Sequence, residues 1–224
     1  MAKKVFLGVG HGGKDPGAVG NGLKEKDLNL DIALACQAEL ARHGVTVLMS
    51  RTKDETEDLE DRIREANAFG PDLALDIHCN AGGGDGCEVF HHYKGGTGKT
   101  LAVNILDEVV KIGQNSRGAK TKTNAAGLDA YGWIRLTKAP AVIVEAAFMD
   151  TADVEIIDTA VERVTMGTAI AKGVLRTLGI QYQAPAAADP GKLYRVQVGA
   201  FKEKANADKL VASLKAKGFD AVIV

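Results

Sequence analysis

The chain lacks the features that mark several large classes of protein. It has no apolar run near the length of a membrane-spanning helix. Its formal net charge of -1 gives no reason to expect nucleic acid or an anionic membrane as a partner. The cysteine count is 3, which is odd, and this argues against a disulfide framework. Hydrophobic residues at 46% and charged residues at 25% of 224 are typical of a globular chain with one ordinary domain and a small appendage.

The first residues also lack the pattern of a secretory signal. Lys3 and Lys4 are followed by the apolar run 5–9, which is too short for the hydrophobic region of a signal peptide. We therefore expect a chain made in the cytoplasm, which would reach a substrate outside it only after release or lysis. We also expect a monomer.

Apolar runs and helical stripes alternate along the first 180 residues. Because strands that alternate with helices of this length are typical of parallel sheets, we predict an α/β domain with a twisted, mostly parallel sheet flanked by helices in three layers. The predicted strands are 4–9, 45–49, 73–77, 88–90 and 141–144, and the predicted helices are 28–42, 58–68, 99–112 and 160–178.

The composition changes after residue 180. Residues 181–191 form a linker rich in proline and alanine. Beyond it, strands at 193–198 and 221–224 are predicted on either side of a helix at 205–216. We therefore divide the chain into a larger α/β domain at 1–180, the linker at 181–191 and a small βαβ module at 192–224. The module is too small to bury a core alone, so we expect it to pair with a missing half or to dock.

Polar residues follow three of the predicted strands. His11, His78 and Glu145 each come directly after or close to such a run, and ligands of open α/β sheets bind at the carboxyl ends of the strands. Glu25 lies in a polar turn ahead of a helix. Two histidines and a glutamate are a common ligand set for catalytic zinc, but each residue also has a structural interpretation, such as a helix-start carboxylate. Cys79 adjoins His78, and strand alternation turns it to the other face, which predicts a buried thiol.

Two glycine-rich segments resemble nucleotide-binding loops and are rejected. Residues 8–13 match G-x-G-x-x-G, but Asp15, Pro16 and Gly17 follow where that motif requires a helix. Residues 95–100 resemble a phosphate-binding loop, but Tyr93 stands where its first glycine is needed. We predict no nucleotide site at either segment.

Several ordered motifs between about residues 4 and 178 resemble one family. The chain is similar to the zinc-dependent N-acetylmuramoyl-L-alanine amidases of bacterial cell-wall turnover, the amidase type 3 family. The segments that carry the resemblance are Gly10–Ala18, Gly22–Asp27, Ser50–Thr52, Leu59–Arg62, Ala66–Asn67, Asp76–Ala81, Arg117–Gly118 and Pro140–Glu145.

The resemblance implies a function and a site. It implies a peptidoglycan hydrolase that cleaves the amide between N-acetylmuramic acid and L-alanine, with one Zn²⁺ held by His11, Glu25 and His78. Glu145 would be the general acid and base. Asn80, which alternation places on the face of His78, would bind substrate or brace its loop. Two alternatives are a zinc peptidase acting within the stem peptide and a wall-binding protein without activity.

The tail carries a second resemblance. Residues Leu193–Phe201, Ala205–Ala207 and Gly218–Phe219 are similar to one half of a SPOR domain, a peptidoglycan-binding module. An amidase followed by such a module resembles the autolysins that lyse the mother cell in spore-forming bacteria. Phage endolysins of the same family are the other close resemblance, and the sequence does not separate the two.

Overall fold

A six-stranded sheet with helices packed on it accounts for most of the chain. The computed structural model describes residues 2–185, 197–219 and 221–223, and the chain divides into two units, Met1–Gln183 and Ala184–Val224. The strands of the first unit are β1 (Lys4–Val9), β2 (Val19–Gly20), β3 (Leu23–Lys24), β4 (Thr46–Met49), β5 (Leu73–Asn80), β6 (Cys87–His91), β7 (Ser116–Lys120) and β8 (Ala141–Phe148). Its helices are α1 (Glu25–Arg42), α2 (Leu59–Phe69), α3 (Thr97–Val110), α4 (Gly132–Leu136), a 3₁₀ helix (Ala152–Ile156) and α5 (Ala160–Leu178).

The sheet is mixed but mostly parallel, as predicted. Its strand order is β4-β1-β5-β8-β6-β7, and β2 and β3 form a separate two-stranded sheet. The strands β4, β1, β5 and β8 are parallel to their neighbours. The strand β6 runs antiparallel to β8, and β7 is parallel to β6. The sheet therefore reverses direction between its fourth and fifth strands.

Two apolar clusters cover the sheet unequally. The larger cluster joins alternate residues of the strands, such as Val5, Leu75 and Val144, to α1, α3 and α5. The smaller cluster on the other face contains Phe6, Trp133 and other residues close to α2 and α4. Since alternate strand residues point to opposite faces, this second face also carries the polar residues of β5, β6 and β8. The smaller cluster leaves His78, Asn80 and Glu145 partly accessible.

The element boundaries differ from the predicted ones in ways that matter for the site. Helix α1 begins at Glu25 rather than at residue 28. The amide of Glu25 has no acceptor within the helix, and it donates instead to the carbonyl of Ala18 at 2.9 Å. The strands β5 and β8 continue to Asn80 and Phe148, because their pairing persists past an irregularity after His78. His78 and Glu145 therefore lie within strands, and the prediction that they follow strand ends was wrong. The edge strand β7 was not predicted.

The second unit contains one described helix, α6 (Lys204–Ala216), close to the predicted 205–216. No residue of α6 is buried, as expected for a unit too small to enclose a core. Residues 186–196 and 224, with most of the predicted linker and parts of both predicted strands, lie outside the described residues. The described parts of those strands, 197–198 and 221–223, are not in strands. A strand is defined by its ladder of hydrogen bonds to a neighbouring strand, and these described residues do not form one.

The described helices were also compared with the dimensions of a bilayer. None of them is both long and apolar enough to span one.

Candidate active site

Three different elements bring two imidazoles and a carboxylate together. His11 follows β1 in a left-handed conformation with φ 61°, Glu25 opens α1, and His78 lies in β5. Potential ligand atoms of the three residues all lie within 4.8 Å of one another. His11 Nε2 is 3.1 Å from Glu25 Oε2, and His78 Nδ1 is 2.9 Å from Glu25 Oε1.

Each imidazole is oriented by a second carboxylate on its other nitrogen. His11 Nδ1 is 2.7 Å from Asp15 Oδ2, and His78 Nε2 is 3.5 Å from Asp76 Oδ2. Asp76 is itself fixed by Arg62, whose Nη1 donates to both carboxylate oxygens at 3.0 Å. Histidines that bind a metal typically donate their other N–H to such a group. The two nitrogens that face Glu25 are thus the ones available as ligands, and the donor set fits a zinc ion.

Buried polar side chains also tie the loop of His11 to the start of α1. Arg51 is 2% exposed, and its guanidinium donates to the carbonyls of Gly10 at 3.1 Å and Lys26 at 2.7 Å. Asn29 Nδ2 donates to the Gly10 carbonyl and to Glu25 Oε1, both at 3.2 Å. These residues hold the backbones that carry His11 and Glu25 in one arrangement. The sequence reasoning did not single out Asn29, and it quoted Arg51 only as part of a motif.

The carboxylates of this cluster favour the positively charged form of its two histidines. Burial opposes ionisation of Glu25, but hydrogen bonds from His11 and His78 outweigh it and hold the pKa of Glu25 far below its usual range. Burial lowers the pKa of His78, but Asp76 and Glu25 overcome this and raise that pKa to about 10. The hydrogen bond to Glu25 likewise raises the pKa of His11. The neighbouring carboxylates thus favour the protonated form of both imidazoles where a cation would otherwise bind.

Glu145 lies on the same sheet face, beside this cluster. In the ladder it pairs with His78 of β5 on one side and with Glu88 of β6 on the other. Burial raises the pKa of Glu145 to about 7, against the charge of His78, which lowers it. A carboxyl group that titrates near neutral pH can both accept and donate a proton under working conditions.

Glu88 anchors a third group of polar residues on this face. It is 7% exposed, and its carboxylate accepts hydrogen bonds from Asn80 Nδ2 at 3.0 Å, from Arg117 Nε at 2.7 Å and from Lys120 Nζ. The Asn80 Oδ1 atom accepts from the amide of Ala81 at 2.9 Å. The Asn80 amide group thus braces Glu88 and its own loop. The sequence reasoning missed Glu88 and Lys120.

The cysteines lie away from this chemistry. Cys79 is 3% exposed and belongs to the larger apolar cluster, on the face opposite His78. Its contribution to the site is its backbone amide, which donates to Glu25 Oε1 at 3.2 Å. The three free, buried cysteines are Cys36, Cys79 and Cys87.

A cleft of ≈ 320 Å³ opens beside the two histidines. Its other walls come from α2 with the loop before it and from the segment that leads into α4. The lining residues are His11, Asp15, Glu57, Asp58, Leu59, Arg62, Asp76, His78, Tyr131, Gly132, Trp133 and Ile143.

Comparison with protein families and with known proteins identifies the chain. Residues 5–176 match the family described as N-acetylmuramoyl-L-alanine amidase, and residues 172–224 match the SPOR domain. The chain is 38% identical over 226 residues to the sporulation-specific N-acetylmuramoyl-L-alanine amidase of Bacillus subtilis, which covers 99% of this chain and 84% of that protein. It is 40% identical over 162 residues to the endolysin of Bacillus phage SPP1, which covers 68% of this chain and 57% of the endolysin.

Solved structures agree with this assignment. Cwp6 from Clostridium difficile superposes with a TM-score of 0.78 at 37% identity, over 80% of this chain and 30% of that one. The amidase AmiC2 of Nostoc punctiforme gives 0.72 at 28% identity, over 79% and 97% of the two chains. These relatives do not favour a peptidase or a binder without activity. The chain belongs to the N-acetylmuramoyl-L-alanine amidase family, and it is a peptidoglycan hydrolase that cleaves the bond between N-acetylmuramic acid and L-alanine.

Proposed function

We propose that His11, Glu25 and His78 hold one zinc ion and that Glu145 is the general acid and base of the hydrolysis. The observation that carries this proposal is the convergence of three ligand groups within 4.8 Å, with Glu145 next to His78 in the ladder. A zinc ion bound there would lower the pKa of water and polarise the scissile carbonyl.

The protein's own residues then divide the remaining work. Glu145 accepts a proton from the attacking water, and the same carboxyl group donates a proton to the nitrogen of the departing L-alanine. Its raised pKa supports both roles, since a carboxyl group of ordinary pKa is a weaker base and is rarely protonated at neutral pH. Asp15 and Asp76 keep the imidazoles in the tautomers that the ligand role requires. Asn80 lies on the face of His78, where it would bind substrate or brace its loop, and its Nδ2 donates to Glu88 at 3.0 Å.

We further propose the organisation and setting of the enzyme. Residues 1–180 form the catalytic domain, residues 181–191 the linker and residues 192–224 a partial SPOR module that adds affinity for peptidoglycan. The chain acts on the cell wall as a monomer after release or lysis. The sporulation-specific relative supports a role in lysis of the mother cell, whereas the phage relative supports an endolysin role.

Digestion of purified peptidoglycan tests the catalytic proposal. The full chain, with and without a chelator, should release stem peptides that begin with L-alanine only when metal is present, as read by mass spectrometry. Glu145→Gln should retain stoichiometric zinc and lose hydrolysis, whereas Glu155→Gln, at an exposed position on the 3₁₀ helix, should behave as the wild type. Full hydrolysis by Glu145→Gln would refute the role of that carboxyl group.

A further inference from the structure

A pair of basic side chains lies on the reacting face of the sheet, on the side of Glu145 away from the histidines. Arg117 and Lys120 belong to the edge strand β7, and both contact Glu88. Their side chains are 38% and 34% exposed, whereas that of Glu88 is 9% exposed. The buried carboxylate of Glu88 therefore holds both cations in place, while part of each side chain remains accessible to solvent.

Glu88 does not use up the hydrogen-bonding capacity of these cations. Arg117 gives Nε to Glu88 and Nη1 to the backbone carbonyl of Asp85 at 3.4 Å. Within the described residues, Arg117 Nη2 has no protein acceptor, and Lys120 Nζ bonds to Glu88 alone. The Arg117 guanidinium also lies 4.9 Å from the centroid of the Phe148 ring, which restricts its movement. One carboxylate shared by two cations leaves a positive charge and free donors.

The charged side chains on this face of the sheet differ on the two sides of Glu145. On the β1 side, Asp15, Glu57 and Asp58 line the cavity beside His11. On the β7 side, outside that cleft, Arg117 and Lys120 flank Glu88 and remain partly exposed. An anionic part of the substrate is favoured beside Arg117 and Lys120, whose charge exceeds that of Glu88.

The distance from Glu145 to β7 matches the distance from the scissile bond to the second residue of the stem peptide. Neighbouring strands lie about 4.8 Å apart, so β7 is about 10 Å from β8, which carries Glu145. An extended peptide advances about 3.5 Å per residue, so the second stem residue lies about 7 Å from the bond that is cut. A carboxylate on that residue comes within reach of side chains as long as arginine and lysine.

We propose that Arg117 and Lys120 bind the carboxylate on the second residue of the stem peptide, so that the enzyme selects acidic over amidated stems. This inference rests on the proposed catalytic site, because Glu145 sets the register of the substrate. Arg117 and Lys120 are specificity residues here, since they act on the substrate two strands from the reacting atoms.

Two muropeptides that differ only in a carboxylate or a carboxamide on the second stem residue test the proposal. With the zinc-loaded full chain, kcat/KM should favour the carboxylate by about tenfold, as expected for one charge-assisted hydrogen bond. Arg117→Gln and Lys120→Gln should each reduce the ratio of kcat/KM on the carboxylate to kcat/KM on the carboxamide several-fold. Lys111→Gln, an exposed position beyond α3, is the matched control and should keep the wild-type preference.

The outcomes are separable from those of the catalytic proposal. Equal kcat/KM of the wild type on both muropeptides would overturn the inference, as would an equal loss on both in Arg117→Gln, because that pattern would reveal only support for Glu88. Arg117→Lys, which keeps the charge, should restore most of the preference if Arg117→Gln is poorly folded. Calorimetry with Glu145→Gln measures the affinities for the two muropeptides, and their ratio gives the preference for the carboxylate without turnover. A chelator-insensitive enzyme with the preference intact would refute the zinc proposal alone.

Discussion

Replacing Gly10 by alanine should disable the site without unfolding the protein. Gly10 follows β1, and its amide donates to the carbonyl of Ile77 at 3.0 Å. A Cβ atom there would lie 2.2 Å from Cε1, 2.4 Å from Nε2 and 2.6 Å from Nδ1 of His78. Carbon atoms in contact sit about 3.5–4.0 Å apart, so the ring would have to move by more than about 1 Å.

The imidazole of His78 has no free direction in which to move. Glu25 holds its Nδ1 at 2.9 Å and Asp76 faces its Nε2 at 3.5 Å, so displacement breaks at least one of these contacts. A displacement of about 1 Å in a reacting group costs about 100-fold in rate, and the loss of ligand orientation costs about 10–100-fold in metal affinity. Overpacking should lower the free energy of unfolding by about 1–3 kcal/mol. The backbone itself tolerates alanine, because Gly10 is not among the glycines with positive φ.

Gly98→Ala is the matched control for this substitution. Gly98 is buried in α3, and an added Cβ would lie 3.5 Å from the carbonyl oxygen of Ala141, which is an ordinary contact. That variant should keep full activity and gain up to about 1 kcal/mol of stability. The assays are release of dye-labelled fragments from peptidoglycan, zinc affinity by competition with a chromogenic chelator, and thermal unfolding. Wild-type activity and zinc affinity in Gly10→Ala would refute the argument that His78 is confined.

Four further predictions follow from the same contacts. Asp76→Asn should weaken zinc binding about 10–100-fold, measured by chelator competition, and should destabilise the fold because buried Arg62 loses one of its two carboxylate partners. Unchanged zinc affinity would show that Asp76 does not support His78. Zinc binding should release protons, because the raised pKa of His78, about 10, means that its proton must leave before the metal binds. The zinc affinity should therefore rise with pH, by up to about tenfold per pH unit for each proton released. Calorimetry in buffers of different ionisation enthalpy counts the released protons. In the folded, metal-free protein the pKa of Glu145 is about 7, against its ordinary value of 4.5. The free energy of unfolding should therefore fall as the pH rises from 4.5 to about 7. Chemical denaturation should show that Glu145→Gln removes this fall. Thiol reagents should leave the native protein unmodified and label it only on unfolding, because burial raises the pKa of all three cysteines, Cys36, Cys79 and Cys87.

The sequence predicted the main layers because apolar periodicity is a local property. The helices 58–68 and 160–178 and the strand 4–9 were found within one or two residues of their observed bounds. The reversal at β6 could not be predicted in this way. Its antiparallel partner β8 lies about fifty residues further along the chain, and the direction of pairing leaves no mark on the pattern of either strand. The edge strand β7 was missed because Ser116–Lys120 has no apolar alternation.

The site was partly predictable for a related reason. His11, His78 and Glu145 could be grouped because each comes directly or shortly after an apolar run that is recognisable in the sequence. Their supports depend on contacts between distant segments, such as the donation by Arg117 to Glu88 and the clamp of Arg51 on the Gly10 carbonyl. One indication was present and not used. Asp76 interrupts an apolar run, and a carboxylate buried in a strand requires a partner such as Arg62.

The position of Glu145 in a central strand has a consequence for how the enzyme loses activity on heating. Because β8 is hydrogen-bonded on both sides, by β5 and β6, the backbone of this residue belongs to the part of the sheet that opens last in local unfolding. Its amide proton should exchange with solvent at close to the slowest rate in the molecule. Glu145 and its neighbour His78 then remain aligned while the edges of the sheet fray, so inactivation should coincide with global unfolding rather than precede it.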